Sequence, residues 1–177
     1  MTDEQMKYPI GKFTAPAAYT NEDMYRWIDD MATLPGKLRH AVNGLTQQQL
    51  DTPYRTGGWT IKQVVHHLAD SHTNCIVRIK LALTESSPVI KPYQEAEWAL
   101  LPDYSLPIES SLKMLEGIHT HLSALFESFT ENEWKRTFIH PESGASIPLK
   151  KLLALYAWHS NHHLAHVTET VKKFSRD

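Results

Sequence analysis

Cysteine is almost missing from this chain: Cys75 stands alone among 177 residues. A single thiol excludes an intrachain disulfide and fits a reducing compartment. Its place on an apolar helical stripe makes it a small core residue rather than a nucleophile. Long apolar runs are missing as well, none approaching the roughly 18 residues of a membrane span. The opening Met1-Thr-Asp-Glu-Gln-Met-Lys7 lacks the basic and apolar regions of a secretion signal. Basic residues are neither clustered nor in excess, since 18 Lys and Arg against 20 Asp and Glu give a net charge of −2. That balance removes the electrostatic footprint a nucleic-acid partner needs. A glycine-rich phosphate loop and an H-E-x-x-H zinc motif are also absent. The expectation is a cytoplasmic domain spanning residues 1–177, with no nucleic-acid or membrane partner.

What is present is helical periodicity. After an arm over residues 1–20, broken by Pro9, Gly11 and Pro16, apolar residues recur at three and four from Met24 to Val42. Asn21 caps this first long helix, Glu22 and Asp23 complement its dipole, and Pro35 predicts a kink. A second long helix opens at Thr60 with a T-x-x-Q capping box to Gln63 and ends before Pro88. The proline-rich stretch 87–106 predicts a long connection holding a short helix at Gln94–Leu100. A third long helix, with Ser105 as cap region and Pro107 in its first turn, runs to Phe129. Segments 136–141 and 145–147 predict a short β-hairpin around Glu142-Ser-Gly144. The last helix runs from about Pro148 to about Phe174. Four amphipathic helices with one long connection predict an all-α four-helix bundle.

Eleven histidines are the second abundance. Four lie in Tyr156-Ala-Trp-His-Ser-Asn-His-His-Leu-Ala-His166, where His159 and His163, and His162 and His166, stand one helical turn apart. Such a pair can share one metal ion. With 100° per residue, His163 lies roughly 50° and His159 roughly 90° from the centre of the apolar stripe, against roughly 150° and 110° for His162 and His166. His159 and His163 are therefore the inward pair, and His162 and His166 are expected at the surface or behind the ligands. On the second helix, His72 falls near the stripe centre and His67 roughly 130° away. Periodicity alone nominates His72 as the third ligand, with a hydrogen-bonded core histidine as its ordinary role. His119 and His121 point different ways and cannot hold one ion together.

Gly58-Trp-Thr60, Val64-Val-His-His-Leu-Ala-Asp-Ser71 and Tyr156–Val167 together closely resemble the YfiT-type metal-dependent hydrolases of the DinB-like superfamily. Tyr8-Pro-Ile-Gly-Lys-Phe13 and Ile139-His-Pro-Glu-Ser-Gly144 extend the resemblance over nearly the whole chain. It implies an up-and-down DinB-like bundle with a crossover, a homodimer, and one zinc ion per subunit, with nickel as the alternative. It also implies ligands His67, His159 and His163. Many superfamily members carry glutamine where this chain has Ala165-His166, which leaves the role of His166 open.

Three neutral imidazoles and an open position describe a catalytic ion rather than a structural one. Metal-bound water as nucleophile implies a hydrolase acting on a small molecule. An ion of this kind also ionises thiols, so an S-transferase using a low-molecular-weight thiol such as bacillithiol is the second reading. The third is a metal-binding stress protein without catalysis. Asp70, Glu169 and Ser71 are the expected acceptors for the ligands' second ring nitrogens.

Overall fold

The computed structural model describes residues 2–174. Its elements are α1 (Asp3–Lys7), α2 (Asn21–Val42), α3 (Gln47–Leu50), α4 (Ile61–Thr84), α5 (Glu95–Trp98), a 3-10 turn (Pro102–Ser105), α6 (Glu109–Ser128), α7 (Glu131–Lys135), β1 (Thr137–His140), β2 (Ala145–Pro148) and α8 (Leu149–Phe174). The long helices α2, α4, α6 and α8 form a four-helix bundle, as the periodicity predicts. Its neighbours are α2 with α8 and α6, and α4 with α6 and α8. Consecutive helices α2 and α4 therefore lie across the bundle diagonal, as do α6 and α8, and their connections must cross its ends. No helix among the described residues is long and apolar enough to cross a membrane.

Local chemistry fixes the helix ends. Thr60 accepts from Gln63 N while the Gln63 side chain accepts from Thr60 N, which supplies two otherwise unpaired groups at the start of α4. At the other end, the Arg136 guanidinium donates to the carbonyls of Ala82 (2.7 Å) and Glu85 (2.6 Å). The hairpin is thereby tied to α4, and it pairs Thr137 to Pro148 through His140 to Ala145. Helix α2 runs unbroken through Pro35, which is buried with Leu34 and Leu38. Helix α6 begins at Glu109, later than predicted, because residues 102–105 form their own 3-10 turn and Ile108 occupies the cap.

The apolar core falls into two clusters. One contains Met31, Cys75, Leu122, Phe126, Phe138 and Leu153; the other contains Leu34, Leu38, Val65, Leu68, Leu115 and Val167. Between the two along their helices come His72 on α4, His119 on α6, and His159 and His163 on α8. The bundle is thus divided by a belt of imidazoles. His72 is fully buried, stacks on His119 with centroids 4.7 Å apart, and has no hydrogen-bond partner for either ring nitrogen among the described residues. His119 donates Nδ1–H to the Met31 carbonyl. Cys75 is buried and its thiol is pushed up by burial, consistent with a packing role.

This belt sets an acid limit. Burial pushes His119 from its ordinary 6.5 down to about 4, and lowers His72 in the same direction. The unfolded chain then binds more protons than the folded one between these values. Stability should be full above pH 6.5 and fall as pH drops toward 4, with His119 alone contributing roughly 3 kcal/mol. Urea midpoints of the chelator-treated protein at pH 7.5, 6 and 5 check this, and His119→Gln should flatten the slope.

Candidate metal centre

The bundle brings His67 of α4 against His159 and His163 of α8. One ring nitrogen from each lies within 4.8 Å of the other two. The Nε2 atoms of His67 and His159 are 3.2 Å apart, while the Nδ1 atoms of both are buried without a hydrogen-bond partner among the described residues. Two bonds of about 2.0–2.1 Å at the tetrahedral angle would put their nitrogens about 3.3 Å apart, so this pair fits a zinc-sized ion. A hydrogen bond between the rings is the other account of the contact: it leaves one Nδ1–H buried and unpaired among the described residues, whereas an ion held through both Nε2 atoms leaves two. Burial holds His67 down to about 4, and it holds His159 and His163 well below 6.5. All three are therefore neutral at pH 7 and can offer lone pairs.

His67 stood wrongly placed by helical phase. The reason is that α4 packs on both α6 and α8, and Trp59 covers the ring of His67 at 4.6 Å between centroids. Ile61, Val64, Val65, His66, His67, Leu68 and Ala69 are all buried. A single stripe centre has little meaning for a helix buried nearly all round. His66, the other half of the doublet, is held away from the centre. Its Nε2–H donates to the Leu106 carbonyl (3.1 Å), so its Nδ1 accepts from the Ser111 hydroxyl (2.7 Å). Among the described residues His72 joins no group of three ring nitrogens, and its ring stacks instead on His119.

His162 and His166 are 7% and 3% exposed, which sets aside the surface and leaves the place behind the ligands. The cause is the N-terminal arm and the loop before α4, which phase against the bundle core does not register. Tyr8 and Trp158 pack on His162, with centroids 6.0 and 4.6 Å away, and Tyr54 stacks on His166 at 4.0 Å. Trp158 in turn donates to the Gly11 carbonyl at 3.2 Å, fixing the arm to α8.

With His163 these two form a second group of three close nitrogens. Here a hydrogen-bond chain accounts for the contact between His163 and His166 without an ion, and His162 takes no part in it. The Lys7 carbonyl can only accept, so His166 Nε2, 3.2 Å away, carries its proton. The His166 Nδ1 lone pair then accepts from His163 Nδ1–H at 3.4 Å, which leaves His163 Nε2 bare. The arm thus sets a tautomer of His163 suited to binding an ion. The acceptors expected from the sequence do not take this part. Asp70 accepts from the Tyr104 hydroxyl (2.7 Å), Glu169 pairs with Lys172 (2.6 Å), and the Ser71 carbonyl accepts from the Tyr156 hydroxyl (3.2 Å).

Residues 30–167 match the DinB superfamily. The chain belongs to that family. A relative in Oceanobacillus iheyensis, named a "putative metal-dependent hydrolase", is 51% identical over 167 residues, covering 94% of this chain and 96% of the relative. A Bacillus mycoides protein of the same name is 48% identical over 165 residues, covering 93% and 95%. Among solved structures, YfiT from Bacillus subtilis superposes with a TM-score of 0.92 at 44% identity, covering 97% of this chain and 98% of that one. YfiT is described as "a probable metal-dependent hydrolase with an unusual four-helix bundle topology". The diagonal placement of consecutive helices is this chain's own departure from a simple bundle order.

The tautomer chain has a direct consequence. His166→Leu removes the acceptor for His163 Nδ1–H and should weaken zinc binding about 10–100-fold. His166→Asn, whose Oδ1 falls near the ring Nδ1 position, should keep most of the affinity. Competition against a chromophoric chelator measures both.

Proposed function

We propose that this DinB superfamily protein is a metal-dependent hydrolase of a small molecule, with one zinc ion per subunit held by His67, His159 and His163. The observation that carries the reading is the 3.2 Å approach of the Nε2 atoms of two neutral imidazoles, with a third imidazole beside them. The names of the relatives support the hydrolase class. An ion with three protein ligands and an open position lowers the pKa of water toward about 7 and polarises a carbonyl.

The chain's own residues supply the rest. The histidines line a cavity of about 410 Å³ together with Trp59, Trp158 and Glu95. The indoles shield the imidazoles from bulk water and offer an apolar wall to the substrate. Glu95, on the short helix α5 of the long connection, is the one carboxylate among the residues lining this cavity. Glu95 is exposed, and partial desolvation by its neighbours raises its pKa toward the range where a carboxylate both takes and gives a proton. Its role is to accept a proton from the attacking water and return it to the leaving group.

Metal analysis of purified wild type, His67→Ala, His159→Ala, His163→Ala and His162→Ala tests the centre. Zinc or nickel should be stoichiometric in wild type and His162→Ala and lost in the other three. Retention in His67→Ala with loss in His162→Ala would move the ion to the second histidine group. A panel of esters and amides, assayed with and without bacillithiol, tests the reaction. Turnover strictly dependent on the thiol replaces hydrolysis with S-transfer, and metal binding with no turnover in either arm leaves a non-catalytic protein. Glu95→Gln should lower kcat about 100-fold or more while leaving metal content unchanged.

A further inference from the structure

The loop Tyr54–Thr60 contains the Gly58-Trp-Thr60 motif, and the metal centre uses only its tryptophan. Gly57 adopts φ +68°, a conformation that other residues rarely take. At Gly58 the constraint is space. A Cβ there would stand 2.8 Å from Arg55 Cγ and 3.0 Å from Tyr54 Cζ. Glycine at this position therefore lets the Arg55 stem and the Tyr54 ring fold back over the loop. Tyr54 goes on to stack on His166, and Arg55 joins the wall of the cavity that holds the three imidazoles.

The guanidinium lies over the Tyr54 ring, 5.6 Å from its centroid, and makes one hydrogen bond among the described residues. Its Nη1 donates to the Thr56 carbonyl at 2.9 Å, and the nearest carboxylate, Asp3, stands 3.7 Å from Nη1 with its side chain 66% exposed. That separation is too long for a hydrogen bond and the pair is screened by water. The Nε atom is buried and has no partner among the described residues. The Nη2 atom, by contrast, is accessible and makes no hydrogen bond among the described residues, so a guanidinium at the cavity wall has one terminal nitrogen ready to donate to a carboxylate. The charge of the site agrees. Neutral imidazoles leave the charge of a bound ion undiminished, and Arg55 and Lys7 line the cavity against the single carboxylate of Glu95.

We infer that the substrate carries a carboxylate, which Arg55 holds at the cavity wall while the hydrolysable group lies over the imidazoles. Arg55 is a specificity residue in this scheme, and Gly58 is the residue that lets it reach the wall. The inference rests on the hydrolase reading for the reaction but not for the carboxylate contact, because the guanidinium is fixed by the loop and not by the ion.

Benzoate and benzamide, nearly the same in shape and different in charge, separate the possibilities. Binding of each is measured by calorimetry to zinc-loaded and to chelator-treated protein, with metal content determined on the same samples. Benzoate should bind at least about tenfold more tightly than benzamide in both forms, as a charge-assisted pair predicts. Arg55→Gln should remove that preference without weakening benzamide. Gly58→Ala, which retains the guanidinium but displaces it, should also reduce it, with thermal melts checking that both variants fold. Equal binding of the two probes, an unchanged preference in Arg55→Gln, or a preference confined to the zinc-loaded form would overturn the inference. Stoichiometric zinc without a benzoate preference would sink the inference and spare the metal centre. A benzoate preference in protein that binds no zinc would do the reverse.

Discussion

Two imidazole nitrogens, one from α4 and one from α8, face each other at 3.2 Å inside the bundle, and much of the molecule is arranged around that contact. Neutral rings can be placed so only if water and protons are kept away. Desolvation does this, because burial penalises the imidazolium and leaves the lone pairs free. The same burial makes the arrangement expensive for folding, since His72 has both ring nitrogens unpaired and His119 one. Apolar clusters on either side of the histidine belt offset that penalty. The bundle is thus a scaffold whose stability lies in its two ends and whose chemistry lies between them.

A bundle alone would leave α8 open along the flank bearing His162 and His166. Two segments outside the helices close it. The arm contributes the Lys7 and Gly11 carbonyls and the ring of Tyr8, and the loop before α4 contributes Tyr54, Arg55 and Trp59. Backbone carbonyls serve well here because they can only accept, and so they decide which nitrogen of a neighbouring imidazole carries the proton. The choice is passed along the row from Lys7 to His166 to His163. Loops in this protein therefore determine the state of groups that sit on rigid helices.

The periodicity of residues 24–42, 61–83, 108–129 and 149–174 foretold all four long helices, because each buries one face against the others and an apolar side chain every three or four residues is enough to do so. The capping box at Thr60 and the hairpin around Gly144 were equally legible, since their hydrogen bonds join residues close in sequence. His159 and His163 could be chosen as the inward pair because α8 keeps a recognisable apolar stripe. His67 could not, because α4 is packed from several directions and its burial depends on Trp59. Which of the two expected places His162 and His166 take was not legible for a related reason, as Tyr8 and Tyr54, which help cover them, stand more than a hundred positions earlier.

The sequence by itself determined a helical bundle, a buried thiol without reactive character, and a histidine-rich turn with two rings directed inward. All of these follow from spacing along one helix or from side-chain chemistry alone. Tertiary structure decided which distant histidine meets that turn, which tautomer His163 adopts, and that Arg55 stands beside the same cavity as Glu95. Those facts depend on how segments far apart in the chain are brought within a few ångströms, and no local period encodes that.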